Sequence, residues 1–136
     1  MSSMNIDVPY GITRRLANVD LAQARARITA SLAAEGFGIL TEIDMQATLK
    51  KKLDLDIAPY VILGACNPKL ASAALASEPA VGLLLPCNVV LAQNGADVVV
   101  SALSPQAMFA AAGANQSLAQ IAQDAEGRIR RALAAM

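Results

Sequence analysis

Tyr60-Val61-Ile62-Leu63-Gly64-Ala65-Cys66-Asn67-Pro68 and, beyond an alanine-rich stretch, Gly82-Leu83-Leu84-Leu85-Pro86-Cys87-Asn88-Val89-Val90 hold both cysteines of the chain. Each cysteine is followed at once by an asparagine and lies within two residues of a proline. Tyr60 to Ala65 is a continuous apolar run after Pro59, the pattern of a strand buried on both faces. Asn67 as N-cap and Pro68 at the first helical position start a helix through Ala76, and Glu78-Pro79 stops it. Val81 to Ala92 then returns as a strand, with Pro86 marking an edge, a bulge or a kink. One segment therefore reads as strand, helix and strand, and what flanks it decides the fold class.

Towards the N-terminus, Tyr10 to Leu16 reads as a first strand closed by Asn18-Val19-Asp20. Asp20 has the side chain of an N-cap, and Gln23 three residues on completes a capping-box spacing. Leu21, Ala24, Ile28 and Leu32 recur at helical intervals, and Gly36 is the stop expected just past a helix end. Phe37 to Asp44 alternates as a strand does, with Phe37, Ile39, Thr41 and Ile43 on one face and Gly38, Leu40, Glu42 and Asp44 on the other. Asp44 caps a short helix, Met45 to Leu53, whose Lys50-Lys51-Lys52 lies near the C-terminal end, where the helix dipole favours cations.

Towards the C-terminus, Gln93-Asn94-Gly95-Ala96 is a hairpin signal between β-branched runs, which pairs Val98-Val99-Val100 antiparallel with Val89-Val90-Leu91. Ser104-Pro105 opens a helix that ends near Gly113. Asn115 or Ser117 caps the last helix, along which Leu118, Ile121, Ala122, Ala125, Ile129, Ala132, Leu133 and Met136 form one apolar stripe. The order β-α-β-(α)-β-α-β-β-α-α indicates an α+β fold with one mixed sheet, helices mainly on one face, and right-handed crossovers in both strand–helix–strand units. Residues 1–136 read as a single domain, with 1–9 as an N-terminal arm and 10–136 as the compact body.

Composition narrows the function. Aromatics are only 3% of 136 residues, so the core must come from Leu, Ile, Val and Ala, and such thin cores often bury more by dimerising. Eleven basic residues balance eleven acidic ones, which argues against a nucleic-acid partner. There is no histidine, the usual metal ligand and the usual base near neutral pH, so no metal and no cofactor is expected. No apolar stretch is long enough to span a bilayer, and Met1 to Tyr10 lacks the apolar centre of a signal peptide. The expected location is cytoplasmic, with no membrane partner and both thiols reduced.

The residues that could carry chemistry gather around the cysteines. Cys66 stands between a strand end and a helix start, where free N–H groups and the dipole can lower a thiol pKa and activate it. The competing reading is that Cys66 is a small apolar filler, because free cysteine is among the most buried residue types. If the strands from Tyr60 and Val81 are parallel near neighbours, Cys66 and Cys87 stand at similar heights, as a redox pair or in one pocket. With a strand between them they would be about 10 Å apart, beyond disulfide reach. Asn67 and Asn88 read first as caps, although Asn88 in mid-strand must find a partner if buried. Glu42 with Asp44 could form an acid–base pair or merely be solvated, and Lys52 or its neighbours could reach an anionic ligand. No Ser/His/Asp set, phosphate loop or dinucleotide fingerprint is present.

Glu42-Ile43-Asp44, the lysine-rich helix after it, the Cys66-Asn67-Pro68 segment and the Pro86-Cys87-Asn88 segment resemble the family of domains of unknown function 302, found in bacteria and archaea. The similarity runs from about Tyr10 to the last helix. It implies an α+β domain that tends to form homodimers, and no established activity. Cys66, Asn67, Pro68, Pro86, Cys87 and Asn88 match the positions of the family's motifs.

Three functions are compatible with these residues. The favoured one is a homodimeric domain binding a small molecule or anion, in a pocket of Cys66, Asn67, Pro68, Pro86, Cys87 and Asn88 with Glu42 and Lys52 nearby. The second is a thiol-dependent enzyme or redox protein using Cys66, with Cys87 as the other candidate. Lacking histidine, it would rely on the helix dipole and a lysine to activate the thiol. The third is an interaction module whose cysteines are structural. Whether the chain is an enzyme at all is left open by its residues.

Overall fold

The computed structural model describes residues 6–136. Its strands are β1 (Gly11–Leu16), β2 (Gly38–Asp44), β3 (Tyr60–Cys66), β4 (Cys87–Asn94) and β5 (Asp97–Leu103). Its helices are α1 (Leu21–Ala34), α2 (Met45–Leu53), α3 (Pro68–Ser77), α4 (Pro105–Phe109) and α5 (Gln116–Ala134), with 3-10 turns at Pro79–Leu84 and Ala110–Ala112. Of the N-terminal arm, residues 6–9 belong to the described part and residues 1–5 lie outside it.

The helix starts follow their capping residues. Asp20 accepts from the Gln23 N–H while the Gln23 side chain accepts from the Asp20 N–H, a complete capping box on α1. Asn67, Ser104 and Asn115 cap α3, α4 and α5 in the same one-sided way, and Pro68 and Pro105 occupy first-turn positions that need no N–H.

The five strands form one sheet in the order β1-β5-β4-β3-β2, and every neighbouring pair is antiparallel. The α+β class holds, but the mixed sheet expected from the sequence does not. The helix between β3 and β4 returns the chain beside the strand it left, in the opposite direction, so β3-α3-β4 is not a parallel crossover and the handedness rule for such units does not reach it. Four antiparallel steps leave β1 and β2 pointing the same way at opposite edges, joined by α1 across the sheet. The Asn94-Gly95 hairpin is present, with Leu91 facing Val100 and Asn94 facing Asp97.

Two further expectations are revised. Val81 to Ala92 is not one strand: Pro79–Leu84 coils as a 3-10 turn and β4 begins only at Cys87. Glu78 caps that turn through the Ala80 N–H, and Pro86, having no N–H, cannot join a ladder between two other strands. The alternation read along Phe37–Asp44 breaks at a bulge between Ile39 and Thr41. Phe37 is buried and Ile39 packs against the core, whereas Thr41 and Ile43 face the other side, opposite Gly64 and Ile62. Leu40, the extra residue, is 66% exposed.

One sheet face is covered by helices. Ala24, Ile28 and Leu32 of α1 and Ile129, Ala132 and Leu133 of α5 pack on Leu16, Leu63, Val89, Leu91, Val98 and Val100, each large side chain contributing about 1.5–3 kcal/mol. Arg14 reaches from β1 to the Leu133 and Ala134 carbonyls at 2.7 and 2.9 Å, a cation at the negative end of α5. A second, smaller cluster of Ala74, Val81, Phe109, Leu118 and Ala122 sits beyond the sheet end, between α3, α4 and the first half of α5. Among the described residues no helix is long and apolar enough to cross a membrane.

Candidate functional site

The cysteine segments meet where β3 ends and β4 begins. Ala65 is the ladder partner of Cys87, so Cys66 stands one step diagonally from it. Both cysteines are free. They border one apolar cavity of about 40 Å³, lying between the two hydrophobic clusters and closed by Leu70 and Ala74 of α3, Pro105, Met108 and Phe109 of α4, and Ile121 and Ala125 of α5. Cys87 is buried and donates its S–H to the Leu103 carbonyl at 3.3 Å. Burial pushes its thiol up to about 12, so at neutral pH it is a protonated donor and not a thiolate nucleophile. Cys66 is half-buried. The redox-pair geometry imagined from parallel strands is thus replaced by a diagonal placement on antiparallel ones.

Asn67 is buried and fully used. Its side-chain oxygen accepts from the Leu70 N–H at 3.3 Å, and its amide nitrogen donates to the Glu35 carbonyl at 3.3 Å, tying the end of α1 to the start of α3. Gly36 makes room for this: with φ at +87°, a Cβ there would be strained and would stand 2.9 Å from the Asn67 amide nitrogen.

The remaining residues of the expected pocket scatter. Pro68 is exposed on α3, in a surface groove of about 550 Å³ with Gly36, Lys69, Asp124 and Arg128. Arg128 there is engaged by Asp124 at 2.7 Å. Pro86 packs over Gly64, its Cγ only 2.8 Å from where a Cβ would stand on that glycine. Glu42 is tied at the sheet edge to Arg25 of α1, at 2.5 Å. Lys52 is exposed on α2, a helix with no buried residue. Neither Glu42 nor Lys52 lines the cysteine cavity.

Asn88 belongs to the opposite face. It stands opposite Gly64 on the sheet face turned away from α1 and α5, where a groove of about 420 Å³ runs over Val90, Ser101 and Leu103. Tyr60 closes one side, and Ile6, Val8 and Tyr10 of the arm form another. The arm is held by the Val8 carbonyl accepting from the Gly11 N–H, by the Tyr10 carbonyl accepting from the Ser104 N–H, and by the Asp7–Arg15 pair at 3.6 Å. Ser101 is engaged with Thr13 through their hydroxyls at 2.8 Å.

A buried polar cluster was not anticipated at all. Glu126 sits on the inward side of α5, where it accepts from the Ser104 hydroxyl in a short contact, from the Gln106 N–H at 3.3 Å and from Arg130 at 3.2 Å. Burial alone would raise its pKa, but these donors and the Arg130 charge together hold the carboxyl below its usual range. The signal available in the sequence was a carboxylate at a buried helical step, between Ala125 and Ile129. Among the described residues no three His, Cys, Asp or Glu side chains gather to hold a metal ion.

Comparison with known proteins gives a family whose function is unknown. The model of the family described as "Domain of unknown function DUF302" matches residues 12–136. The fold is similar to the crystal structure of an uncharacterized conserved protein DUF302 from Bacillus stearothermophilus, with a TM-score of 0.84 at 29% identity, over 93% of this chain and 98% of that one. No curated protein matches the sequence.

Proposed function

The chain belongs to the DUF302 family, and from that premise we propose that it is a homodimeric binding domain for a small, uncharged molecule seated on the sheet face turned away from α1 and α5. One observation carries the reading. The grooves beside Asn88 and Pro68, of about 420 and 550 Å³, lie within the usual range of ligand sites, whereas the cysteine cavity of about 40 Å³ admits only a few atoms, and the Asn88 groove is lined without the Lys69, Asp124 and Arg128 side chains of the other. The groove's lining is mainly apolar with a few polar side chains, the composition that ligand sites favour. Its lining includes no Asp, Glu, Lys or Arg, so an anion there would lose its hydration without gaining a counter-charge. An uncharged ligand therefore replaces the anion considered from the sequence. Cys87, buried and protonated, acts in this reading as core packing at the back of β4.

Self-association has separate support. Leu40 and Ile43 on the edge strand β2, and Leu53 and Leu55 at the end of α2, are exposed apolar side chains. An open strand edge beside them is a surface that a second copy covers.

The test combines a neutral solvatochromic dye with sedimentation. Dye emission should rise and shift blue with the wild-type chain and fall towards background for Val90→Lys, which crowds the groove while leaving the thermal midpoint unchanged. Sedimentation should give a dimer that Ile43→Lys weakens. Equal dye binding by Val90→Lys would overturn the groove, and a monomer over the whole concentration range would overturn the dimer.

A further inference from the structure

We infer that the ligand of this groove presents a hydrogen-bond donor and acceptor side by side on a flat apolar body, as an amide or lactam edge does, and that Asn88 reads that edge. The inference rests on the groove being the binding site and names the class of molecule it takes.

Asn88 is an unusual choice for its place. Asparagine is depleted in strands, and here it occupies the second residue of β4, near the start of the central strand and opposite Gly64, with its side chain exposed. The other asparagine of the paired motif, Asn67, has both ends of its amide engaged by backbone. Among the described residues no hydrogen bond to the Asn88 amide is present, and Asn88 lines the groove, so its carbonyl and NH2 are both free to meet a ligand there. Ser101 already shares one hydrogen bond with Thr13, and the groove's other polar side chains are Asn88 and the phenols of Tyr10 and Tyr60.

A carboxamide offers one acceptor and one donor on the same edge. A purely apolar ligand laid over it would strip its water and return nothing. A carboxylate ligand would satisfy the NH2 but confront the carbonyl with a second acceptor, with no cation in the lining to offset its lost hydration. A lactam edge answers both halves at once, the arrangement by which asparagine reads adenine in nucleic acids. Tyr60 and the Val90–Leu103 floor supply flat apolar contact for the rest of such a molecule.

The experiment uses three bicyclic probes of one shape: quinolin-2-one, naphthalene and 2-naphthoate. Each is titrated into the isotopically labelled full-length chain and followed by backbone amide and Asn88 side-chain resonances. Quinolin-2-one should bind about ten-fold more tightly than naphthalene, equivalent to about 1.4 kcal/mol, and move the Asn88 NH2 signals. Asn88→Leu should erase that preference while naphthalene binding persists. Asn88→Asp, of the same shape, should lose it as well. Naphthalene binding equal to quinolin-2-one, a preference that survives Asn88→Leu, or 2-naphthoate binding best would each overturn the inference and leave the groove standing. Failure of all three probes to shift any groove resonance would overturn both this inference and the assignment of the groove.

Discussion

Replacing Gly64 by alanine tests how tightly the sheet face turned away from α1 and α5 is built. Gly64 is buried in β3, and a Cβ added there would collide with Thr41 Oγ1 and stand 2.8 Å from Pro86 Cγ, against the 3.4 Å at which ordinary contact begins. Thr41 can turn about χ1, but the proline ring is rigid, so the Pro86 segment must retreat by about 0.6 Å. Overpacking of this kind costs about 1–3 kcal/mol. The loss of glycine freedom in the unfolded chain returns about 0.4–1 kcal/mol. The net expectation for Gly64→Ala is a destabilisation of about 1–2 kcal/mol. Urea unfolding reads this directly: with a slope of about 2 kcal/mol per molar, the midpoint falls by roughly 0.5–1 M at unchanged slope. The double variant Gly64→Ala with Thr41→Ala should recover part of the loss, because one of the two obstacles is gone. A Gly64→Ala midpoint equal to or above that of the wild type would refute the reasoning. It would mean that Pro86 yields freely and that the rim beside Asn88 is not rigid.

Two further expectations concern titrating groups. Under native conditions an alkylating agent should modify Cys66 well before Cys87, whose thiol at about 12 stays protonated and covered through pH 9; equal labelling of both by intact-mass analysis would place Cys87 at the surface. Glu126 has a lowered folded-state pKa, so its ionised form contributes stability above the ordinary carboxylate range, and that contribution is lost as pH falls through the folded value. Glu126→Gln should therefore cost about 1–2 kcal/mol near pH 7 and progressively less in acid, and denaturation curves whose separation grows on acidification would contradict the assignment.

Local chemistry was readable wherever a single residue sets it. Asp20 with Gln23, Asn67 with Pro68, Ser104 with Pro105, and Asn94-Gly95 each act within a few positions of themselves, and each starts or turns the chain as its side chain dictates. The antiparallel return of β4 beside β3 was not readable, because it is set by where α3 delivers the chain, a matter of packing between distant segments. The switch of faces at Leu40 escaped for a related reason: a bulge leaves the apolar alternation looking intact while moving Thr41 and Ile43 to the other side. The cysteine motif was legible as a location and misleading as a pocket. Cys87 and Asn88 are adjacent, so a strand sends them to opposite faces, one into the core and one into the groove. The groove itself joins Tyr60, Asn88 and Ser101 from three strands with the arm, and no spacing in the sequence announces that meeting.

The order of strands has a consequence for how the protein is made. β1 ends at Leu16, and its partner β5 does not begin until Asp97. At about 5–20 residues per second, a growing chain holds the first strand unpaired for several seconds after it leaves the ribosome. The β2–β3 and β3–β4 pairs can close first, because their contacts are shorter in sequence. Ile12 and Leu16 must wait for a docking edge that follows β2, β3 and β4 in the chain. β1 thus finds its partner only after β2, β3 and β4 have been made, and the arm that walls the groove is held beside it.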